Sequence, residues 1–258
     1  MKKWASILIT GLTLSLLFGV MPSFASDFES ASSDTIVFPY ERKTFIEGEK
    51  SVSFRLRNAT TKTPYLMQAS VEKLDEDTGV NTLESTDNFP FMITPPLYKL
   101  EPGQRYDWRV MFVGDTAKMP SDRETVYIAK FRAIPPSIPN TEEKKDSAEF
   151  DAIQALHFKV YYRPKNLESL TFEEAQKKLS FRREGNELIV MNNSPIYLSF
   201  DSVNVGGKEI NSNELFKPLK PLSEQRFKLP SDINGNQVKW AILDDLVLPM
   251  EEQVSTLQ

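Results

Sequence analysis

The stretch Ser51-Val-Ser-Phe-Arg-Leu-Arg-Asn58 decides the fold. Val52, Phe54 and Leu56 fall on one side of an extended chain, and Ser53, Arg55 and Arg57 on the other. A period of two is the pattern of a strand with one buried and one wet face. The same period returns at Tyr65, Met67, Ala69 and Val71, and again at Tyr106, Trp108, Val110 and Phe112. Polar, turn-forming segments separate these runs: Glu47-Gly48-Glu49, Asn58 to Pro64, and Glu101-Pro102-Gly103. A helix would need apolar residues three and four apart, and these windows do not supply them. Short strands between polar turns indicate a β-sandwich.

Further along, Ala133 to Phe150 combines three prolines with a mixed charge run and reads as a loop. His157 to Arg163 follows as a strand stopped by Pro164. Thr171-Phe-Glu-Glu-Ala-Gln-Lys177 suggests a brief helix. A second strand-rich body then begins, with Phe181, Leu188 to Val190, Tyr197 to Val205, Leu222 to Leu229 and Val238 to Leu243 as its strands. Asn192-Asn-Ser-Pro195 reads as a turn and Gly206-Gly207 as a hairpin signal. The expected architecture is all-β, two sandwich domains meeting near Pro164: residues 26–164 and 165–258. No internal repeat stands out.

The first residues do not belong to either body. Residues 1–25 carry a basic end at Lys2 and Lys3, an apolar run from Trp4 to Val20, and small residues Ser23 and Ala25 before Ser26. That is the form of a secretory signal peptide. A membrane anchor is the competing reading, but no basic stop-transfer cluster follows, and no second long apolar stretch predicts stable membrane insertion. The chain has no cysteine, so an exported protein would rely on its cores and not on disulfides.

Composition also restricts the chemistry. Of 258 residues, 31 are Lys or Arg, 36 are Asp or Glu and one is histidine, for a formal charge of -5. An acidic balance argues against nucleic acid as a partner, which needs a basic field. Zero cysteines exclude thiolate catalysis and Cys-ligated metal, and a lone histidine excludes multi-histidine metal sites within one chain. His157 would have to serve any Ser-His-Asp arrangement, and no G-x-S-x-G surrounds a candidate serine. H-E-x-x-H, P-loop and G-x-G-x-x-G motifs are absent. Glu173-Glu174 and Asp244-Asp245 are adjacent pairs whose side chains would diverge on a strand. The chain therefore reads as a non-enzyme with no cofactor. A sandwich can instead bind an extended peptide along an open strand edge, and a nearby cation can hold a chain-terminal carboxylate. Arg42 and Lys159 are the candidates. From the residues alone, Lys159 is equally readable as a solvated ammonium on the wet face of its strand.

Several short segments then fall into a familiar order: Tyr65-Leu66 with Gln68, Thr94-Pro95-Pro96, Leu100-Glu101-Pro102-Gly103, Asp122-Arg123-Glu124, Ile134-Pro135-Pro136, Lys159-Val-Tyr-Tyr-Arg163-Pro164 and Asn192-Asn-Ser-Pro195. In this the chain resembles the PapD-like periplasmic pilus-assembly chaperones. The resemblance implies two immunoglobulin-like domains in a boomerang with a cleft between them, in the periplasm of a Gram-negative bacterium. It implies binding of pilin or fimbrial subunits by donation of a β-strand, delivery to an outer-membrane usher, and no nucleotide. It also leaves room for self-association of the free chaperone.

The resemblance further implies roles for residues. Arg42 and Lys159 would anchor the subunit's C-terminal carboxylate, with Lys43 as the alternative to Arg42 after a one-residue slip. Phe150, Ala152, Ile153, Leu156 and Phe158 would supply the donated strand, although their alternation is broken and calls for a bulge. Glu124, Arg163 and Asp244 would form an interdomain ionic network. The chain departs from the family pattern at Lys130, where an asparagine is usual, and at Ala241 to Leu246, which lacks the usual Asn-Asp-Tyr-Gly run. The runner-up is a structural subunit or adhesin, which would need an N-terminal complementing extension; Ser26 to Asp34 is short and polar.

Overall fold

The computed structural model describes residues 35–75, 89–136 and 153–257. The expected signal peptide, Phe150 and Ala152 lie outside the described residues.

The first body is built from β1 (Ile36–Val37), β2 (Lys43–Ile46), β3 (Val52–Asn58), β4 (Tyr65–Lys73), β5 (Phe91–Thr94), β6 (Leu97–Leu100), β7 (Arg105–Phe112), β8 (Thr125–Ile134) and β9 (Gln154–Arg163). One sheet runs β1-β3-β7-β5 and the other β2-β9-β8-β4-β6. The alternation in Ser51 to Asn58 is realised as expected: Phe54 and Leu56 are buried while Ser53 and Arg55 are exposed. Trp108 is fully buried, with its ring edge-on to Tyr106 at 4.8 Å and to Phe131 at 5.5 Å. The Trp108–Phe131 contact joins the inner faces of the two sheets, and such edge-to-face packing locks their separation as well as burying area.

The opening strand changes sheets. β1 pairs with β3, whereas β2 pairs in parallel with β9, in register Lys43↔Val160 to Ile46↔Arg163. Residues 38–42 make the crossing. Because β2 reaches β9 only at Val160, residues 154–159 of β9 are paired, among the described residues, on one side alone, to β8. An open strand edge is thereby created in the middle of the molecule.

After a turn at Lys165–Leu167, the second body contains α1 (Phe172–Gln176), β10 (Leu179–Glu184), β11 (Glu187–Asn192), β12 (Phe200–Val205), β13 (Lys208–Glu209), α2 (Ser212–Leu215), β14 (Ser223–Lys228), β15 (Gln237–Ile242) and β16 (Gln253–Thr256). The sheets are β10-β11-β14 and β13-β12-β15-β16. Thr171 caps α1 through a reciprocal capping box with Glu174, so the short helix expected there forms. The core centres on Trp240, whose ring lies 4.5 Å from that of Phe181. The expected pair of immunoglobulin-like sandwiches is present, with the change of sheets falling between Arg163 and Leu179. The final strand β16 lies beyond the last strand read from the sequence.

Each sandwich repeats one polar device. Asn58, at the end of β3, donates its amide to the carbonyls of Thr63 and Leu100, and its Oδ1 accepts from the Thr60 N–H and hydroxyl. Asn192, at the end of β11, donates to the carbonyls of Ile196, Leu219 and Lys220, and its Oδ1 accepts from the Ser194 N–H and hydroxyl. Both asparagines are completely buried. The Asn-x-Ser/Thr order lets one amide satisfy a turn whose backbone groups cannot reach water. This local correspondence is too short to register as a repeat by sequence alone. Asn192→Ala is expected to destabilise the protein by roughly 1–3 kcal/mol, since the buried Ser194 N–H loses its acceptor and three carbonyls each lose one of two donors. A chemical-denaturation midpoint within error of wild type would contradict this role.

Candidate functional site

Where the two sandwiches meet, one carboxylate organises the contact. Glu124 immediately precedes β8, and its side chain is fully buried. Its Oε2 accepts from Arg42 Nη2 at 2.6 Å and from the Tyr197 N–H at 2.8 Å. Its Oε1 accepts from Arg163 Nε at 2.8 Å. The Glu124 N–H donates to the Pro195 carbonyl at 2.9 Å. Residues 195–197 belong to the second body, so Glu124 ties the bodies by backbone and side chain together. Arg163 also donates to the Leu170 carbonyl at 3.2 Å. Around this network pack Leu74, Val126, Ile128, Tyr161 and Tyr197, a small buried cluster of their own.

Arg42 sits at the end of the 38–42 crossing, immediately before β2. Its guanidinium lies over the Tyr161 ring, 3.5 Å from the centroid, and donates to Thr44 Oγ1 and to the Tyr197 carbonyl. Three of its N–H groups are thus engaged, and a guanidinium has five. The Arg42 N–H also donates to the Asp245 carbonyl at 2.7 Å. Lys43 turns elsewhere, to Glu41 and toward the Phe54 ring. Of the two neighbours, Arg42 is the one that faces the cleft.

Lys159 lies at the C-terminal end of the open stretch of β9. Its ammonium has no carboxylate partner among the described residues. Burial, reinforced by the nearby Arg42 guanidinium, holds it below the usual lysine range. Two guanidiniums thus share the buried Glu124 carboxylate, while the Lys159 ammonium beside Arg42 is left without a counter-charge among the described residues. Three carboxylates also line the cleft: Glu41 pairs with Lys43, Asp244 accepts from the backbone of its own turn, and Asp201 stands on β12. The cleft has a volume of about 730 Å³, and its lining is mainly apolar.

Two sequence expectations change here. Asp244 stands outside the ionic network: its Oδ1 accepts from the N–H groups of Leu246 and Leu248 at 2.8 and 2.9 Å. Arg42 is the third member in its place, because the crossing segment carries it to Glu124. On β9, even-numbered side chains point inward, so Leu156 is a core residue and Phe158 packs against Phe38, Phe54 and Phe131. Neither belongs to an outward-facing row. Ile153 is exposed, as are Ala155 and His157. His157 stands opposite Lys130 across the sheet, and burial together with that lysine lowers its pKa. The sequence reading missed Tyr161 and Tyr197, whose rings lie 5.5 Å apart. Tyr161 shares parity with Lys159 in the strand, which was the available signal.

A largely apolar cleft carrying Arg42 and Lys159, set between two immunoglobulin-like sandwiches, is the feature to compare with known proteins. Residues 37–168 match the pili and flagellar-assembly chaperone PapD N-terminal domain, and residues 174–246 match the pili assembly chaperone PapD C-terminal domain. The chain belongs to this family of periplasmic pilus-assembly chaperones, a non-catalytic family. It is 28% identical over 204 residues to a probable fimbrial chaperone protein, ElfD, of Escherichia coli K12, covering 79% of each chain. It is also 28% identical over 225 residues to chaperone protein FimC of Escherichia coli O6:H1, covering 87% of this chain and 86% of that one. Among solved structures, a chain of the Salmonella enterica SafA pilin–SafB chaperone complex superposes with a TM-score of 0.73 at 24% identity, covering 88% of this chain and 99% of that one. The E. coli chaperone DraB superposes with a TM-score of 0.71 at 23% identity, covering 87% and 98%. These likenesses carry the fold.

Two outcomes test the electrostatics. Glu124→Gln is expected to cost roughly 3–5 kcal/mol, because it leaves two buried guanidiniums without their counter-charge; a loss under about 1 kcal/mol in urea titration would show the network to be dispensable. Lys159→Met should act oppositely on the free protein. A lysine with a depressed folded-state pKa binds its proton less readily folded than unfolded, so it destabilises at neutral pH. That penalty fades as pH rises from its folded value toward the ordinary lysine value. The variant should melt at or above wild type at pH 7, with the difference shrinking as pH rises toward ~10 and gone above it.

Proposed function

We propose that this chaperone binds pilus or fimbrial subunits by pairing an extended strand with residues 154–159 of β9, anchoring the subunit's C-terminal carboxylate at Lys159 and Arg42. The observation that carries the reading is the unpaired, partly desolvated Lys159 ammonium at the end of an open strand edge. A carboxylate there would accept from the ammonium and from the free N–H groups of Arg42, removing the cost of an uncompensated buried charge. The direction of the incoming strand follows. With its C-terminus at Lys159, it runs parallel to β9, along the line that β2 takes beyond Val160. In return the chaperone supplies β9 and the segment before it as a strand, covering unpaired backbone and apolar surface on an incomplete subunit. Ile153 and the Phe150 and Ala152 positions are the remaining candidates for the side chains donated. Delivery to an outer-membrane usher and an N-terminal signal peptide complete the reading.

The decisive variant is Lys159→Met, since Arg42 also holds the domain junction. Co-expressed in the periplasm with a fimbrial subunit, Lys159→Met should remain folded and lose at least about thirtyfold in subunit affinity, the cost of deleting one partner of a desolvated charge pair. Arg42→Ala should lose complexes as well, with a lower melting temperature. Wild-type complex yield from Lys159→Met would overturn the anchoring role.

A further inference from the structure

The turn joining β15 to β16 is built against its own interest. Three consecutive apolar residues at its apex, Leu246, Val247 and Leu248, are 60%, 39% and 55% exposed. Val247 has a φ of 59°, a left-handed conformation that is an outlier for a β-branched side chain and that glycine would adopt without strain. The conformation is nonetheless firmly held. Asp244 accepts from the N–H groups of Leu246 and Leu248, the Asp244 N–H donates to the Leu248 carbonyl, and the Val247 N–H donates to the Asp244 carbonyl. The Arg42 N–H donates to the Asp245 carbonyl, pinning the turn to the residue that faces the cleft. Neither the strain nor the exposed apolar surface is offset by packing among the described residues. Strain held in place by so many bonds marks a position where a side chain is used.

Val247 lines the same cleft as Lys159, and so do Phe216, which is 73% exposed, and Tyr40, which is 70% exposed. Tyr40 comes from the crossing segment of the first body, Phe216 from the residue after α2, and Val247 from the β15–β16 turn. The match to the family's C-terminal domain ends at Leu246, so the apex at Val247 falls just past the shared segment.

We propose that Val247, Phe216 and Tyr40 form an apolar subsite for the side chain next to the terminal carboxylate of a pilus subunit, and that this subsite selects subunits ending in an apolar or aromatic residue. The inference rests on the anchoring reading above. Charge complementarity fixes where the carboxylate sits, at Lys159, and the apolar residues share that cleft. An extended chain that places its carboxylate at the cationic end would have its last side chains in the cleft that these three residues line. Asp244 is a positioning residue: its carboxylate holds the turn that presents Val247.

The test uses the purified mature chain and four synthetic peptides of one alternating apolar sequence. The peptides end in a free carboxylate or an amide, each with Phe or Ser beside the terminus. Val247→Gly should melt at or above wild type, because the strained residue is relaxed. It should bind the Phe-ended acid about tenfold more weakly while binding the Ser-ended acid as wild type does, since only the apolar contact is lost. Phe216→Ser should show the same preference change. Equal affinity of either variant and wild type for the Phe-ended acid would overturn the subsite while leaving the carboxylate anchor standing. If the amide and the acid bind wild type equally, the anchoring reading fails, and the subsite with it. A change in the oligomeric state of the free protein with unaltered peptide affinity would show the patch to be a self-association face and overturn the proposal.

Discussion

A single buried carboxylate holds this molecule in its working form. Glu124 takes both guanidiniums and a backbone N–H at the junction, and each partner comes from a different part of the chain: Arg42 from the crossing segment, Arg163 from the end of β9, Tyr197 from the second sandwich. Desolvating these charges costs about as much as their attraction returns, so the network is a poor source of net stability. Its value is geometric. Charge-assisted bonds are short and directional, and removing any one partner leaves a buried charge exposed to the full penalty. The junction therefore has one acceptable arrangement, and that arrangement sets where the cleft lies.

The cleft follows from the sheet switch at residues 38–42. Had β1 continued in its own sheet, β9 would have an open edge throughout its length. Had β2 begun earlier, the edge would be closed and no peptide could pair there. The observed crossing leaves residues 154–159 open and closes 160–163. An open edge is ordinarily an aggregation hazard. Here its alternate side chains are a core set, Leu156 and Phe158, and an outer set ending in His157 and Lys159. Charge at the end of the edge opposes indiscriminate pairing of like strands.

How much of this was legible in the sequence depends on the range of the interaction that decides it. Period-two alternation is local, so Val52 to Asn58, Tyr65 to Val71 and Tyr106 to Phe112 could be placed and faced correctly from the residues alone. Glu124 and Arg163 stood out through short motifs whose neighbours resemble a family. Asp244 was misassigned to the network because a carboxylate in roughly the right region satisfies a motif as well as one in the right place, whereas its actual partners, two amides of its own turn, leave no signature at a distance. Leu156 and Phe158 cannot be faced from the sequence because register is a tertiary property: β9 pairs with β8 without the expected bulge from Gln154 to Tyr162, and that parity turns both side chains inward. The strain at Val247 had no sequence signal, since valine is the last residue one would write into a left-handed turn.

Arg42 and Lys159 illustrate two ways of keeping a cation ready for a ligand. Arg42 is already compensated: Glu124 and the Tyr161 ring hold its guanidinium in place, so its remaining donors are oriented before anything binds. Lys159 is not compensated, and its burial is a standing cost to the free protein. In the proposed anchoring, a ligand carboxylate would add little ordering at the first residue and relieve a penalty at the second. Affinity then comes partly from preorganisation and partly from a free state that is less stable than it could be. The same division recurs at the cleft's apolar wall, where Asp244 fixes the turn and Val247 bears the strain. In both places a satisfied carboxylate, Glu124 or Asp244, fixes the geometry, and the residue proposed to meet the partner, Lys159 or Val247, carries the cost.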